Sequence, residues 1–79
     1  MNELSTAFQN YANSFDFGFL KAWKANSILL GLRQIPDIFE DEVRFLDYLK
    51  GSLGMEGFKN IDIELIMGWL YERKDEITA

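Results

Sequence analysis

Seventy-nine residues without a cysteine make one domain, with no room for a second core and no disulfide framework to hold it. A formal charge of −5 argues against binding to phosphate backbones or anionic lipid, which draws on clustered Lys and Arg. No apolar run reaches the roughly 18 residues of a membrane span, and no basic segment leads into an apolar one. The expectation is a cytoplasmic chain that neither enters a membrane nor binds nucleic acid directly.

Leu4, Phe8, Tyr11 and Phe15 recur at i, i+4, i+7 and i+11, the spacing of one helix face, and predict a helix over 3–14. Asn13, Ser14, Asp16 and Gly18 then mark a break, since glycine costs about 1 kcal/mol inside a helix. Asp16 can cap a second helix with Phe19, Leu20, Trp23, Ser27 and Leu30 on one side. Ile28, Leu29 and Leu32 lie on an adjoining face. The same spacing permits one kinked helix over 3–32, but two helices are the preferred reading.

Gly31, Arg33, Gln34 and the single proline, Pro36, mark the next boundary. Asp37 and Glu40 have the spacing of a capping box, so a third helix is predicted to begin there. Its inward residues would be Phe39, Val43, Leu46, Leu49 and Leu53, and its outward ones Glu40, Arg44 and Asp47. Phe45 and Tyr48 fall on the flank, within reach of a partner. Gly51 and Gly54 end this helix, and residues 55–59 form a connector plugged by Phe58.

Residues 60–76 read as the last helix. Asn60 suits the cap, Asp62 and Glu64 complement the positive end of the dipole, and Arg73 and Lys74 the negative end. Ile63, Ile66, Met67 and Leu70 form a stripe that Leu65 and Trp69 widen. A helix apolar over most of its circumference belongs in the middle of a fold or at a seam between chains. The fold expected is all-α, a single helical domain over 1–79, built as a small bundle of about four helices with the last one central. Gly68 costs about 1 kcal/mol at mid-helix, which close approach of another helix would offset.

Chemistry is limited by what the chain lacks. Without His or Cys there are no usual nucleophile–base pairs and no usual zinc ligands, and no serine sits in a Gly-x-Ser-x-Gly turn. Asn60-x-Asp62-x-Glu64 matches the first acidic positions of a calcium loop. Leu65 and Tyr71 stand where that loop needs glycine and its closing glutamate. Residues 61–65 look similar to the helix after the attachment serine of acyl carrier proteins. Lys59, Asn60 and Ile61 replace the Asp-Ser-Leu which that family requires, so the reading is rejected. A helix-turn-helix over 39–73 would present Leu, Ile, Met and Trp, with acids at its leading end, where base readers carry exposed Arg or Asn. The expectation is no catalytic residue, no cofactor and no metal.

Protein contact remains. Twelve aromatic rings, each able to bury about 150–250 Å², are many for one small core. The expected function is a non-catalytic interaction or regulatory module that binds a protein partner. It is expected to be a homo-oligomer, self-associating through Trp69, Tyr71, Tyr48, Phe45 and Trp23. The alternative uses charge: residues 1–36 carry two acids against three bases, whereas 37–79 carry eleven against five. Asp37, Glu40, Asp41 and Glu42 would then imitate nucleic acid and block an enzyme that processes it, as an accessory protein of a phage or other mobile element would.

Overall fold

A computed structural model describes residues 2–79, and every regular element among them is helical. The order is α1 (Asn2–Ala12), α2 (Ala22–Gln34), a 3-10 turn (Ile38–Glu40), α3 (Glu42–Gly54), α4 (Asn60–Glu72) and α5 (Lys74–Thr78). Two helical hairpins, α1–α2 and α3–α4, supply the most extensive contacts. α1 also meets α4, and α5 folds back between α4 and α2. α4 thus touches three other helices, the central place read from its composition.

The α1 stripe packs as expected: Leu4, Phe8 and Ala12 are buried, and Tyr11 and Phe15 lie against the core. The helix ends two residues early because Asn13 leaves it to serve the following loop. Its side-chain amide donates to the Leu20 carbonyl at 2.9 Å, and its carbonyl oxygen accepts from the Leu20 amide at 2.7 Å. Gln9 donates to the same Leu20 carbonyl. This clasp holds residues 13–21 as a loop, so Asp16 caps nothing and α2 begins only at Ala22.

That loop crosses the 55–59 connector at two glycines. Gly18 and Gly57 have φ of 84° and 90°, a region closed to most L residues. A Cβ on Gly57 would stand 3.5 Å from the Gly18 Cα, and one on Gly18 would press into the Phe58 ring. The Phe19 amide donates to the Glu56 carbonyl across the crossing. Phe58 is buried beneath it, as the plug reading anticipated.

α2 turns the opposite face inward from the one carrying Trp23. Ala25, Ile28, Leu29 and Leu32 are fully buried, while Trp23 and Leu30 face out. Gly31 lies inside the helix and marks no boundary. The Tyr48 hydroxyl crosses over it to donate to the Ile28 carbonyl at 3.0 Å, and a Cβ on Gly31 would collide with that hydroxyl.

The third helix starts later than its capping-box reading. Asp37 has φ 56° and its side chain caps nothing, because the Pro36–Asp37 bend leads into the 3-10 turn. Asp41 is the cap, its carboxylate accepting from the Arg44 amide at 3.1 Å. The start moves, and the inward face is centred on Leu49 and Leu53 with Phe45 in place of Val43. Phe45, Leu49 and Leu53 are buried and Leu46 half-buried, whereas Val43, read as inward, is 73% exposed.

The last predicted helix is two. Asn60 is its first residue and not its cap; Lys59 holds that place, without a side-chain bond. Arg73 (φ −110°, ψ 16°) breaks the helix and turns α5 so that Ile77 reaches the core beside α2. Its guanidinium bonds the Trp69 carbonyl at 2.9 Å and lies 3.8 Å from the Trp69 ring centre, satisfying the end of α4 as a cation there should.

Candidate functional site

The five aromatic residues singled out from the sequence separate into three places. Phe45 is 2% exposed and stacks edge-on to Phe39 at 5.0 Å; it is a core residue, because its i, i+4, i+8 spacing puts it on the face of the buried Leu49 and Leu53. Trp69 is half-buried between elements. Its ring stacks on Tyr11 at 5.2 Å and lies 6.0 Å from Phe8, and Arg73 stands over it. These contacts are internal, so the ring that looked like an anchor tethers α4 to α1.

Trp23 and Tyr48 meet at one groove. It is lined by Trp23, Asn26, Ser27, Leu30, Gln34 and Tyr48, and Trp23 is 65% exposed at its edge. Tyr48 contributes its ring only, since its hydroxyl is bound to Ile28. Burial pushes that hydroxyl's pKa above 10.0, with a bond to Ser52 opposing the shift. The local fold explains Trp23: Leu20, in the loop just before α2, and Ala25 fill the inward positions at this end of the helix, leaving the indole outside.

Tyr71 belongs to a second groove, of about 440 Å³, between α3 and α4. Phe39, Phe45 and Met67 line it, Gly68 forms part of its wall, and Glu40 and Glu42 stand at its lip. Lys74 covers one side of the Tyr71 ring, its ammonium 4.4 Å from the centre and 3.1 Å from the hydroxyl. Its pKa is raised by that bond first, and by the charges of Asp75 and Glu40 among smaller causes.

Beside this groove runs the outer face of α4. Ile61, Leu65 and Gly68 follow one another at i, i+4 and i+7, with Ile61 68% and Leu65 54% exposed. Phe17 extends the face at its N-terminal end, its exposed ring carrying the Lys59 ammonium 3.7 Å from its centre. In the sequence reading Leu65 only widened the apolar stripe of this helix, and neither Ile61 nor Phe17 was among the five residues expected to meet a partner. The signal that would have found Ile61 and Leu65 is the near-continuous apolar run of α4, which is too wide for three neighbours to cover.

The acidic residues Asp37, Glu40, Asp41 and Glu42 are all exposed where the 3-10 turn meets α3. Asp41 is committed to its capping bond. Among the described residues the one ion pair joins Glu72 to Arg73 at 3.8 Å, and no three acidic side chains gather as a metal site. Among the described residues no helix is long and apolar enough to cross a membrane. Comparison with known protein families, curated proteins and solved structures gives no match for this chain.

Proposed function

We propose that this protein is a non-catalytic interaction module that binds protein partners through apolar side chains left outside its core. The observation carrying this reading is that the core closes without them. Among the described residues, seventeen apolar ones are buried, no buried side-chain polar atom lacks a partner, and four of the twelve rings (Phe17, Phe19, Trp23 and Tyr71) remain exposed. Trp and Tyr at the edges of grooves are the side chains that dominate interface energetics. The two surfaces are the Trp23 groove on α2 and the outer face of α4. The expected contact residues narrow accordingly to Trp23, Tyr48 and Tyr71, joined by Phe17, Ile61 and Leu65.

A photo-reactive phenylalanine analogue placed at Trp23 or Leu65 tests it, with the exposed Lys50 of α3 as the control position. Discrete protein adducts at the first two and none at Lys50 are expected. Equal yields at all three would refute the reading. The nucleic-acid mimic is favoured by one observation, that Asp37, Glu40 and Glu42 are exposed without an ion-pair partner among the described residues. It predicts adducts that vanish when salt rises from about 0.05 M to about 0.5 M, because screening removes charge-driven association.

A further inference from the structure

We propose that the groove between α3 and α4 takes an apolar side chain of a protein partner, flanked in that partner's chain by arginine or lysine that meets Glu40 and Glu42. The inference rests on the interaction-module reading and states what the groove holding Tyr71, beside the outer face of α4, accepts. Its walls are apolar. Buried Phe45 and half-buried Phe39 and Met67 line it, and Tyr71 stands 46% exposed at its side. Gly68 leaves room there, since nothing lies within 4 Å of where its Cβ would stand. The volume of about 440 Å³ falls in the range of about 300–1,000 Å³ that ligand pockets occupy.

Charge selects the occupant. The polar side chains of the lining are Glu40, Glu42 and Tyr71, whose hydroxyl already accepts from Lys74 at 3.1 Å. Among the described residues no base lines the groove, and neither glutamate is in an ion pair. Asp41 alone caps α3, which leaves both glutamates free to meet a ligand. Lys74 offsets part of the Glu40 charge. Residues 37–44 nevertheless hold four acids against one base, and 72–76 three against two, so the rim remains negative. An acidic segment would be repelled here, and a wholly apolar one would cover the carboxylates without pairing them. A cation beside the apolar anchor meets both demands, and a guanidinium can also stack on an exposed ring. The chain uses this chemistry within itself: the Lys74 ammonium lies 4.4 Å from the Tyr71 ring centre and the Arg73 guanidinium 3.8 Å from that of Trp69.

The probe is the short peptide Arg-Leu-Phe-Arg, acetylated and amidated, titrated into the isotope-labelled full chain and followed by backbone amide chemical shifts. Shifts concentrated in residues 39–45 and 67–71 are expected. The dissociation constant should be about 0.1–1 mM, because so few side chains must offset the cost of association. Glu-Leu-Phe-Glu and Arg-Gly-Gly-Arg should each bind at least about 10-fold more weakly, the first repelled and the second without an anchor. Glu40→Gln combined with Glu42→Gln should weaken the first peptide about 5-fold. Asp16→Asn combined with Asp47→Asn, equal in charge and exposed outside the groove, should change it less than about 2-fold. Gly68→Leu fills the space and should weaken binding about 10-fold with unchanged helical circular dichroism. Shifts centred elsewhere, none up to about 5 mM peptide, equal binding by either comparison peptide, or equal losses in the two double variants overturns the proposal. The photo-reactive positions Trp23 and Leu65 lie outside this groove, so discrete adducts there uphold the interaction-module reading even if the groove takes no cationic segment.

Discussion

Replacing Gly31 by alanine separates two opposing effects. In an open helix position the change gains about 1 kcal/mol, because alanine restricts the unfolded chain and suits the helix. At Gly31 the added methyl meets the Tyr48 hydroxyl, well inside contact distance, and the ring carbon bearing it at 2.9 Å. Tyr48 must swing away and give up its bond to the Ile28 carbonyl. Overpacking costs about 1–3 kcal/mol and the lost hydrogen bond about 0.5–1.5 kcal/mol. Against the propensity gain, the net expectation is destabilisation by about 1–3 kcal/mol. For a domain of this size that is a fall of roughly 4–8 °C in Tm per kcal/mol, a large share of a stability of only several kcal/mol. Urea unfolding followed by circular dichroism measures it. Gly68→Ala is the matched control: its Cβ meets nothing, so it should stabilise by up to about 1 kcal/mol. Tyr48→Phe removes the colliding oxygen, so Gly31→Ala should cost less in that background than in the parent. Gly31→Ala as stable as Gly68→Ala would refute the reasoning, since Tyr48 would then be free to leave its seat.

The caps give opposite signs at two aspartates. Asp41→Ala should lose about 1 kcal/mol with the capping bond to Arg44, whereas Asp37→Gly should gain up to about 1 kcal/mol by relieving a left-handed non-glycine residue; both are read by urea unfolding. Tyr48 gives a pH dependence. Its folded pKa lies above the unfolded value of 10.0, so the folded state holds the proton longer, and its contribution, complete below pH 10, is lost as pH rises through the folded pKa. Unfolding free energies measured between pH 9 and 11.5 (roughly bracketing tyrosine titration) should fall more steeply for the parent than for Tyr48→Phe. Asn13→Ala removes both bonds to Leu20 and should cost about 1–3 kcal/mol, with the 13–21 amides losing protection from hydrogen exchange before the helices do.

Local signals were legible where one helix had one face to hide. The Leu4–Phe8 stripe, the separation of α1 from α2, the Phe58 plug and the all-helical architecture all follow from spacing and composition. Choices between two apolar faces were not legible. On α2 the side with Trp23 and Leu30 and the face with Ile28, Leu29 and Leu32 are both greasy, and contact with α1 and α5 decides which is buried. Asp37 and Asp41 both carry a capping signature. The Pro36 bend settles the matter for Asp41, and contact with α4 selects the face of Phe45, Leu49 and Leu53 over that of Val43. Nothing local marks the break at Arg73, which is set by where Ile77 finds cover. The candidate surfaces inherit these choices. Trp23 kept its outward place, Tyr71 remained exposed, and Trp69 was drawn inside by Tyr11 and Arg73.

Where Gly18 lies against Gly57, the backbones of two segments far apart in the chain touch with no side chain between them. That junction rivets the first hairpin to the second, and Phe58 has a lid only while both are present. Either half expressed as a fragment would therefore lack a wall of its own hydrophobic interior. The molecule should melt in one step, and a cut between the hairpins should yield two disordered peptides that regain structure only when mixed.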